Sequence, residues 1–430
     1  MMHRMSLASL WIVMLLVAAG GMAQSPQNIT LKEAQDIALS RQPQLLAAQL
    51  TAQASQQVVT EARSAYFPFA FGSMTGAGAI DRSRVAAGGL NNPIIYNRYA
   101  DGFMAGQLIT DFGRTPNLVA SARLQAQAKN EDVNTTRADV LLRVDRAYYG
   151  LLRATAILRV AQETVAERQL VVDQITALAK SKLKSELDVS FANVNLAEAK
   201  ILLVQAQNDV KSSNAELSAA LGYSDEHAFA PSDEPLPPEP LPELSQAVAE
   251  ALRDRPELAS LRYRRDSAEH FAKAERDLWL PSISALAGAG VIPFHASALS
   301  DRYAAAGLNI DIPIFNGHLF SARKAEATLR FHAQEQNVQD LEDQIARDVR
   351  FAWLNADTAF QRLGLTQQLL DQASFALDLA QARYKLGLGS IVELSQAELN
   401  KTQAEIEQSS AKYEYQIQRT VLSYQLGALH

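Results

Sequence analysis

The chain is written twice. Residues 31–45, LKEAQDIALSRQPQL, return as residues 244–258, LSQAVAEALRDRPEL. Leu31, Ala34, Ala38, Leu39, Pro43 and Leu45 are answered by Leu244, Ala247, Ala251, Leu252, Pro256 and Leu258. Every pair differs by 213, and the same interval carries Arg63 to Arg276 and Pro68 to Pro281. Further on the interval is 205: Ala147 and Tyr148 match Ala352 and Trp353, and Leu221 and Gly222 match Leu426 and Gly427. Ser185, Asp188, Ser190 and Ala192 likewise match Ser390, Glu393, Ser395 and Ala397. Each half must therefore build the same unit, and the two units must pack together, which narrows the fold more than composition can. Between them, SDEHAFAPSDEPLPPEPLPE is too rich in proline to continue a helix and predicts an extended connector over 224–243. The first unit then spans 24–223 and the second 244–430.

Each unit contains helices of unusual length. From Val144 the apolar positions step by four and three through Ala147, Leu151, Ala154, Leu158, Ala161, Val165, Arg168, Val172, Ile175 and Ala179, with Arg168 alone out of character. A mean step of 3.5 is a coiled-coil seam, and the alanines let helix backbones come close. Val392, Leu399, Ile406 and Tyr413 repeat the seam in the second unit. The pattern predicts long helices over about 116–180, 186–222, 317–386 and 391–427, the longest on the order of 100 Å at about 1.5 Å per residue.

In YKLGLGSIVELSQAEL, Gly387 and Gly389 interrupt that periodicity. Glycine adopts positive φ at little cost, so the glycines predict the tip of a helical hairpin, with a kink in one continuous helix as the alternative. The first unit carries Lys182 and Lys184 at these positions, which predicts a different turn there. The tips thus comprise Lys182, Leu183, Lys184 and Ser185 in one unit and Leu386, Gly387, Leu388, Gly389 and Ser390 in the other.

Between a shorter leading helix and the long one, each unit has two stretches suited to strands, about 67–80 and 98–111, then 282–292 and 302–314. Alternation is clearest where Leu308, Ile310, Ile312 and Ile314 share one face, which predicts that they meet lipid. Strands of about ten residues are long enough to cross a bilayer when tilted, but lipid does not tolerate open sheet edges. Transmembrane barrels begin at about eight strands, so closure requires at least two copies of the chain, and three would give twelve strands. Two soluble hairpins packed on helices remain the alternative.

The opening MMHRMSLASLWIVMLLVAAGGMAQ has Arg4, an apolar run from Leu7 to Ala19 and small residues up to Ala23. This predicts a secretory leader over 1–23, cleaved near Ala23, with an uncleaved anchor as the alternative. The sequence has no cysteine, hence no N-terminal cysteine for a lipid anchor and no thiolate chemistry. A net charge of −7 without a basic block argues against a nucleic-acid surface.

Taken in order, the leader, the duplication, the Leu-Ala-Ala-Leu-Pro opening, the Pro before each strand pair, Phe112-Gly113 ahead of the long helix and the Gly-x-Gly-Ser tip resemble the TolC family of outer-membrane efflux proteins. The likeness runs from about Leu31 to Gly427 and rests on the order and duplication of the motifs. It implies a mostly α protein with a small transmembrane β part: a homotrimer whose long antiparallel hairpins form an α-barrel in the periplasm and whose strands form a twelve-stranded barrel in the outer membrane. It further implies that the tips dock a periplasmic adaptor (membrane fusion protein), serving an inner-membrane pump of RND, MFS or ABC type in drug efflux or type I protein secretion. Asp188 and Glu393 match the family's acidic constriction, while Gly389 stands where some members carry a basic latch. A plain helix-start role for the two acids is the alternative.

The seven histidines form no metal-ligand spacing, and no nucleophile elbow, P-loop or dinucleotide fingerprint is present, so neither enzyme nor cofactor is expected. The rival reading is a periplasmic coiled-coil adaptor or scaffold, which shares the hairpins but has no use for membrane-length strands.

Overall fold

The computed structural model describes residues 27–80, 83–84, 94–225, 227–233, 235 and 240–429. The expected leader therefore lies outside the described residues. In chain order the elements of the first unit are β1 (Gln27–Ile29), α1 (Leu31–Arg41), α2 (Pro43–Arg63), β2 (Phe69–Ala77), β3 (Arg98–Thr110), α3 (Arg114–Lys180) and α4 (Glu186–Ala220). Then follow β4 (Phe229–Pro231), α5 (Leu244–Asp254), α6 (Pro256–Arg276), β5 (Ser282–His295), β6 (Arg302–Asp311), α7 (Leu319–Lys385) and α8 (Ile391–Gln425). The duplication reappears in these bounds, since α3 and α7 each have 67 residues and α4 and α8 each have 35.

The leading helix is two helices in each unit, not one. Thr30 and Glu33 cap α1 reciprocally, side chain to backbone, and α1 stops before Pro43, which takes the first position of α2. Proline fits there because that N–H has no partner within a helix anyway, and Pro256 does the same for α6. The four-three series of α3 is buried from Val144 through Ile175, with Leu158 and Val165 half-buried.

Half of the length of α3 packs against α2 and α6, the other half against α4 and α8, while α7 packs against α6 and α8. Two columns of paired shorter helices thus run beside two long ones, and each column has a joint. At the first joint the Gln42 side chain donates to the Ala219 and Ala220 carbonyls at 2.9 and 2.6 Å, capping the end of α4 where α2 begins. At the second, Arg255 donates to the Gln425 side chain at 2.9 Å.

Around the first joint lies a core of Ile29, Ala34, Val144, Tyr148, Leu151, Leu217 and Phe229, and around the second one of Ala247, Leu258, Ile345, Val349 and Leu422. The buried Tyr148 hydroxyl donates toward the Ile29 and Ser232 carbonyls at 3.1 and 2.8 Å, and its repeat counterpart Trp353 donates to the Pro242 carbonyl at 2.7 Å. Both aromatics thereby hold the segment between the units, part of which forms β4 and pairs in parallel with β1.

The remaining strands form one antiparallel sheet in the order β2-β3-β5-β6. Within the described residues β2 and β6 each keep one unpaired edge. Leu308 and Ile310 pair with Ala285 and Ile283 and share their face. Ile312 and Ile314 do not belong to the strand: β6 ends at Asp311, and Pro313, which has no N–H to offer a ladder, follows at once. The opposite face carries Phe69, Phe71, Met104 and Leu286. Among the described residues no helix is long and apolar enough to cross a membrane.

Candidate functional site at the hairpin tips

The two tips make the same turn, contrary to the expectation from Lys182 and Lys184. At the first, the Lys182 N–H reaches the Ala179 carbonyl at 2.9 Å and the Leu183 N–H reaches that of Leu178 at 2.9 Å. At the second, Gly387 reaches Tyr384 at 3.1 Å and Leu388 reaches Arg383 at 2.9 Å. This paired closure of a helix end requires a left-handed residue between them, and Lys182 supplies it at φ 56° where Gly387 does so at φ 72°. An L-residue pays about 1–2 kcal/mol for that conformation, and two hydrogen bonds to the last turn of α3 hold it in place. Gly389 has no positive φ, so its lack of a side chain is not required by the backbone.

Ser185 and Ser390 then start α4 and α8. Each hydroxyl accepts the N–H three residues on, from Asp188 at 3.2 Å and Glu393 at 3.1 Å. Asp188 closes a capping box by accepting from the Ser185 N–H at 3.0 Å and its hydroxyl at 2.9 Å. Glu393 instead pairs with Arg383 Nε at 2.9 Å. The two acids therefore occupy equivalent places with different charge: Asp188 bonds to neutral donors, and Glu393 is offset by a cation. Leu183, Leu386 and Leu388 are 70%, 74% and 68% exposed at the ends of the tips.

Lys184 joins the two tips, its ammonium lying 3.6 Å over the Tyr384 ring. Tyr384 is buried, and its hydroxyl has no hydrogen-bond partner among the described residues. Burial, together with the Asp188 charge, pushes that hydroxyl up to about 12, so it stays protonated. Nothing in the sequence marks Tyr384, because a lone aromatic at a seam position looks like ordinary core.

Farther from the tip, Arg168 forms a buried ion pair with Glu398 of α8, their side chains 8% and 3% exposed. Here the break in the apolar series was a usable signal, but its partner lay 230 residues away. Burial pulls the Arg168 guanidinium down and pushes the Glu398 carboxyl up, each against the attraction of the other. Beside them Asn195 donates to the Ser395 hydroxyl at 2.8 Å. Lys401 bridges Glu167 and Glu405 at 3.3 and 3.1 Å.

Solved outer-membrane channels share this fold. The outer-membrane channel OprN superposes with a TM-score of 0.81 at 19% identity, covering 93% of this chain and 90% of that one. The family described as outer membrane efflux protein matches residues 35–223 and 247–428, and the chain belongs to that family. Among relatives, the outer membrane efflux protein BepC of Brucella suis biovar 1 is 24% identical over 300 residues, 69% of this chain and 65% of that protein. Outer membrane protein TolC of Escherichia coli strain K12 is 23% identical over 312 residues, 69% of this chain. The match spans 63% of that TolC, so just under two thirds of the length of each of these two relatives is covered.

Proposed function

We propose that the protein is the outer-membrane duct of a tripartite exporter, a homotrimer that carries cargo from a periplasmic adaptor and an inner-membrane pump to the exterior. The observation that carries this reading is a matched pair of open edges. The sheet ends in β2 and β6, and along the hairpins α4 shows a bare apolar stripe of Leu187, Val194 and Ile201, seven residues apart and 63%, 53% and 67% exposed. On α7, Leu365, Phe375 and Leu379 are 63%, 68% and 54% exposed. Unlike edges at the two sides of one unit favour head-to-tail association, which closes into a ring if the rotation allows. Four strands from each of three copies make twelve, within the range of transmembrane barrels. Leu308 and Ile310 then face lipid, the tips stand at the periplasmic entrance as the adaptor's docking surface, and Asp188 and Glu393 line its constriction. The leader is cut near Ala23, and the cysteine-free sequence leaves no site for a thioether-linked lipid. A soluble adaptor would leave the two open edges and the membrane-length strands without a role.

The repeat supplies the test. Asn195 and Ser395 meet within the chain, and their repeat counterparts, at an interval of 205, are Asn400 and Ser190. If copies pack on one another as the two units pack within a chain, Asn400 of one meets Ser190 of the next. The natural absence of cysteine makes the background clean. A short thiol cross-linker should join cysteines at 195 and 395 within one chain, and cysteines at 190 and 400 should give a ladder ending at a covalent trimer in outer-membrane fractions. A 190/400 protein that stays monomeric while the 195/395 protein cross-links overturns the ring.

A further inference from the structure

One face of the sheet is apolar where a barrel would be polar. Strands of a transmembrane barrel alternate, apolar toward lipid and polar toward the lumen. With lipid on the face of Leu308 and Ile310, the other face belongs to the lumen. There the register aligns Phe69, Gly106, Leu286 and Gly307 in one row across the four strands, and Phe71, Met104, Gly288 and Ala305 in the next. Neither row holds a polar side chain, and all four large ones are exposed. The Phe69 and Phe71 rings are parallel to within 6°, their centroids 6.2 Å apart. Phe69 lies along the sheet over Gly106, where a Cβ would collide with its ring. From the row of Asp311 and Ser282 to that of Ser73 and Tyr303, Asp311 is the one charged side chain that the described strands place on this face. It accepts from the Asn309 amide at 2.7 Å and has no cationic partner among the described residues.

Within one chain Asp311 stands at the far edge of the sheet from the two phenylalanines, since β6 and β2 are its outer strands. The duplication shows what ring closure would do with it. At the interval of 213, Ser282 is equivalent to Phe69. Phe69 pairs with Gly106 and Ser282 with Asp311, so Gly106 and Asp311 are equivalent, at the same interval of 205 that relates α3 to α7. Within the chain Gly106 stands opposite Leu286, whose equivalent is Ser73. If β6 meets β2 of the next copy as β3 meets β5, Asp311 stands opposite Ser73 of that copy. Phe71 of the same copy is then its diagonal neighbour, about 7–8 Å away. Closure thus brings a lone carboxylate beside each pair of parallel rings.

We propose that each seam between copies binds a planar aromatic cation on the lumen side of the sheet, its flat body against Phe69 and Phe71 of one copy and its charge toward Asp311 of the neighbour. Aromatic bodies pack on aromatic rings, and a cation is attracted both by the ring quadrupole and by the carboxylate. An anion of the same shape is repelled by Asp311, and a cation without a flat body leaves the two apolar rows uncovered. The site rests on the duct reading above, because only a closed ring of copies brings Asp311 to Phe71 and turns this face to a lumen.

The probe is N-methylacridinium, with naphthalene-2-sulfonate as the flat anion and tetraethylammonium as the cation without a ring. Each is dialysed to equilibrium against the full-length protein in phospholipid nanodiscs, with empty nanodiscs subtracted. N-methylacridinium should bind saturably and the other two at least about tenfold more weakly. Phe71→Ala should weaken it about tenfold and Asp311→Asn about threefold, the smaller figure because an exposed charge is screened. Phe71→Arg should assemble and lose binding, and Asp311→Cys with Ser73→Cys should join copies into a covalent trimer. Equal affinity for the anion, binding undiminished by both Phe71→Ala and Asp311→Asn, or a trimer that cross-links at 190/400 but neither binds the probe nor cross-links at 311/73 overturns the site and leaves the duct standing. Absence of the 190/400 cross-link, or failure of Phe71→Arg to assemble, overturns the ring or its lumen face, and the site with it.

Discussion

At the first tip Lys182 holds the left-handed position that Gly387 holds at the second, and the hydrogen bonds around the two are the same. A few turns up each hairpin the relation reverses. There Arg168 and Glu398 are bound to each other, while the equivalent residues are Ala373 and Asn193, a buried alanine and an exposed amide bonded to its own helix. The units agree in backbone even where residue preference disagrees, and they differ in side chains where one unit faces the other. Backbone closure of a helix end admits few solutions, whereas a contact between two units has no internal symmetry to obey. Divergence of a repeat is therefore most informative where its halves touch.

The largest effect should come from breaking that one-sided contact. Arg168→Ala leaves the Glu398 carboxylate buried without a cation and should cost about 3–5 kcal/mol, read by urea unfolding of the helical signal. Replacing both partners by methionine should be close to neutral or stabilising by about 1–4 kcal/mol. Asn193→Ala, at the equivalent exposed position, should lie within about 0.5 kcal/mol. A double methionine variant as damaged as the single alanine would mean that the pair does more than satisfy its own burial.

Next in size is the contrast between the faces of the sheet, Ile310 of the second unit against Phe71 of the first. Arginine on the lipid side should cost about 2–4 kcal/mol near the midplane. Ile310→Arg should therefore abolish membrane assembly and Phe71→Arg should not, as scored by folded trimer in outer-membrane fractions. The opposite result would assign lipid to the face of Phe69 and Phe71.

Smaller effects should appear at the turns. Lys182→Gly should stabilise by about 1 kcal/mol and Gly387→Ala destabilise by about 1–2 kcal/mol, since only the left-handed residue is strained by a side chain. Gly389→Ala, at negative φ but with a Cβ 3.2 Å from the Glu393 side chain and 3.3 Å from the Arg383 Cβ, should cost less than Gly387→Ala, because only crowding and no backbone strain opposes it. A loss at Gly389 as large as at Gly387 would contradict the turn geometry.

The finest contrast lies in pH dependence. Asp132 of α3 accepts from Ser260 at 2.6 Å and Arg264 at 2.7 Å on α6. Burial raises its carboxyl, but the bonds from Ser260 and Lys129 and the Arg264 charge outweigh that and hold it below the usual range. A depressed folded pKa gives stability above the unfolded value, about 3.9, that is lost as pH falls through the folded one. Glu398 has the opposite sign: its raised folded pKa gives stability below the unfolded value, about 4.3, that is lost as pH rises through the folded one. In urea midpoints measured across the acid range, Asp132→Asn should flatten the fall on acidification, and Glu398→Gln should steepen it.

Much of the fold was legible because it is periodic. The duplication gave two units, the 3.5-residue step gave the long helices, and the order of motifs gave the family, each from residues close together in the chain. What misled was also local. Lys182 looked unfit for the turn of Gly387, since residue preference registers a cost of about 1–2 kcal/mol without the bonds that repay it. Ile312 and Ile314 continued an alternation that Pro313 had already stopped. Gln42 and Arg255, which hold the joints between stacked helices, gave no sign at all, because their partners come from the ends of α4 and α8.

The sequence by itself determined the number of units, the length of the helices and the presence of strands, since these follow from the spacing of apolar residues along one element. Only the tertiary structure decided that α4 and α8 continue the columns begun by α2 and α6, that Arg168 finds Glu398, and that Lys184 lies over Tyr384. These contacts join residues roughly 170 to 230 positions apart. At that separation no local pattern records a partner; packing within each unit makes the columns, and packing of one unit on the other makes the ion pair and the Lys184–Tyr384 contact.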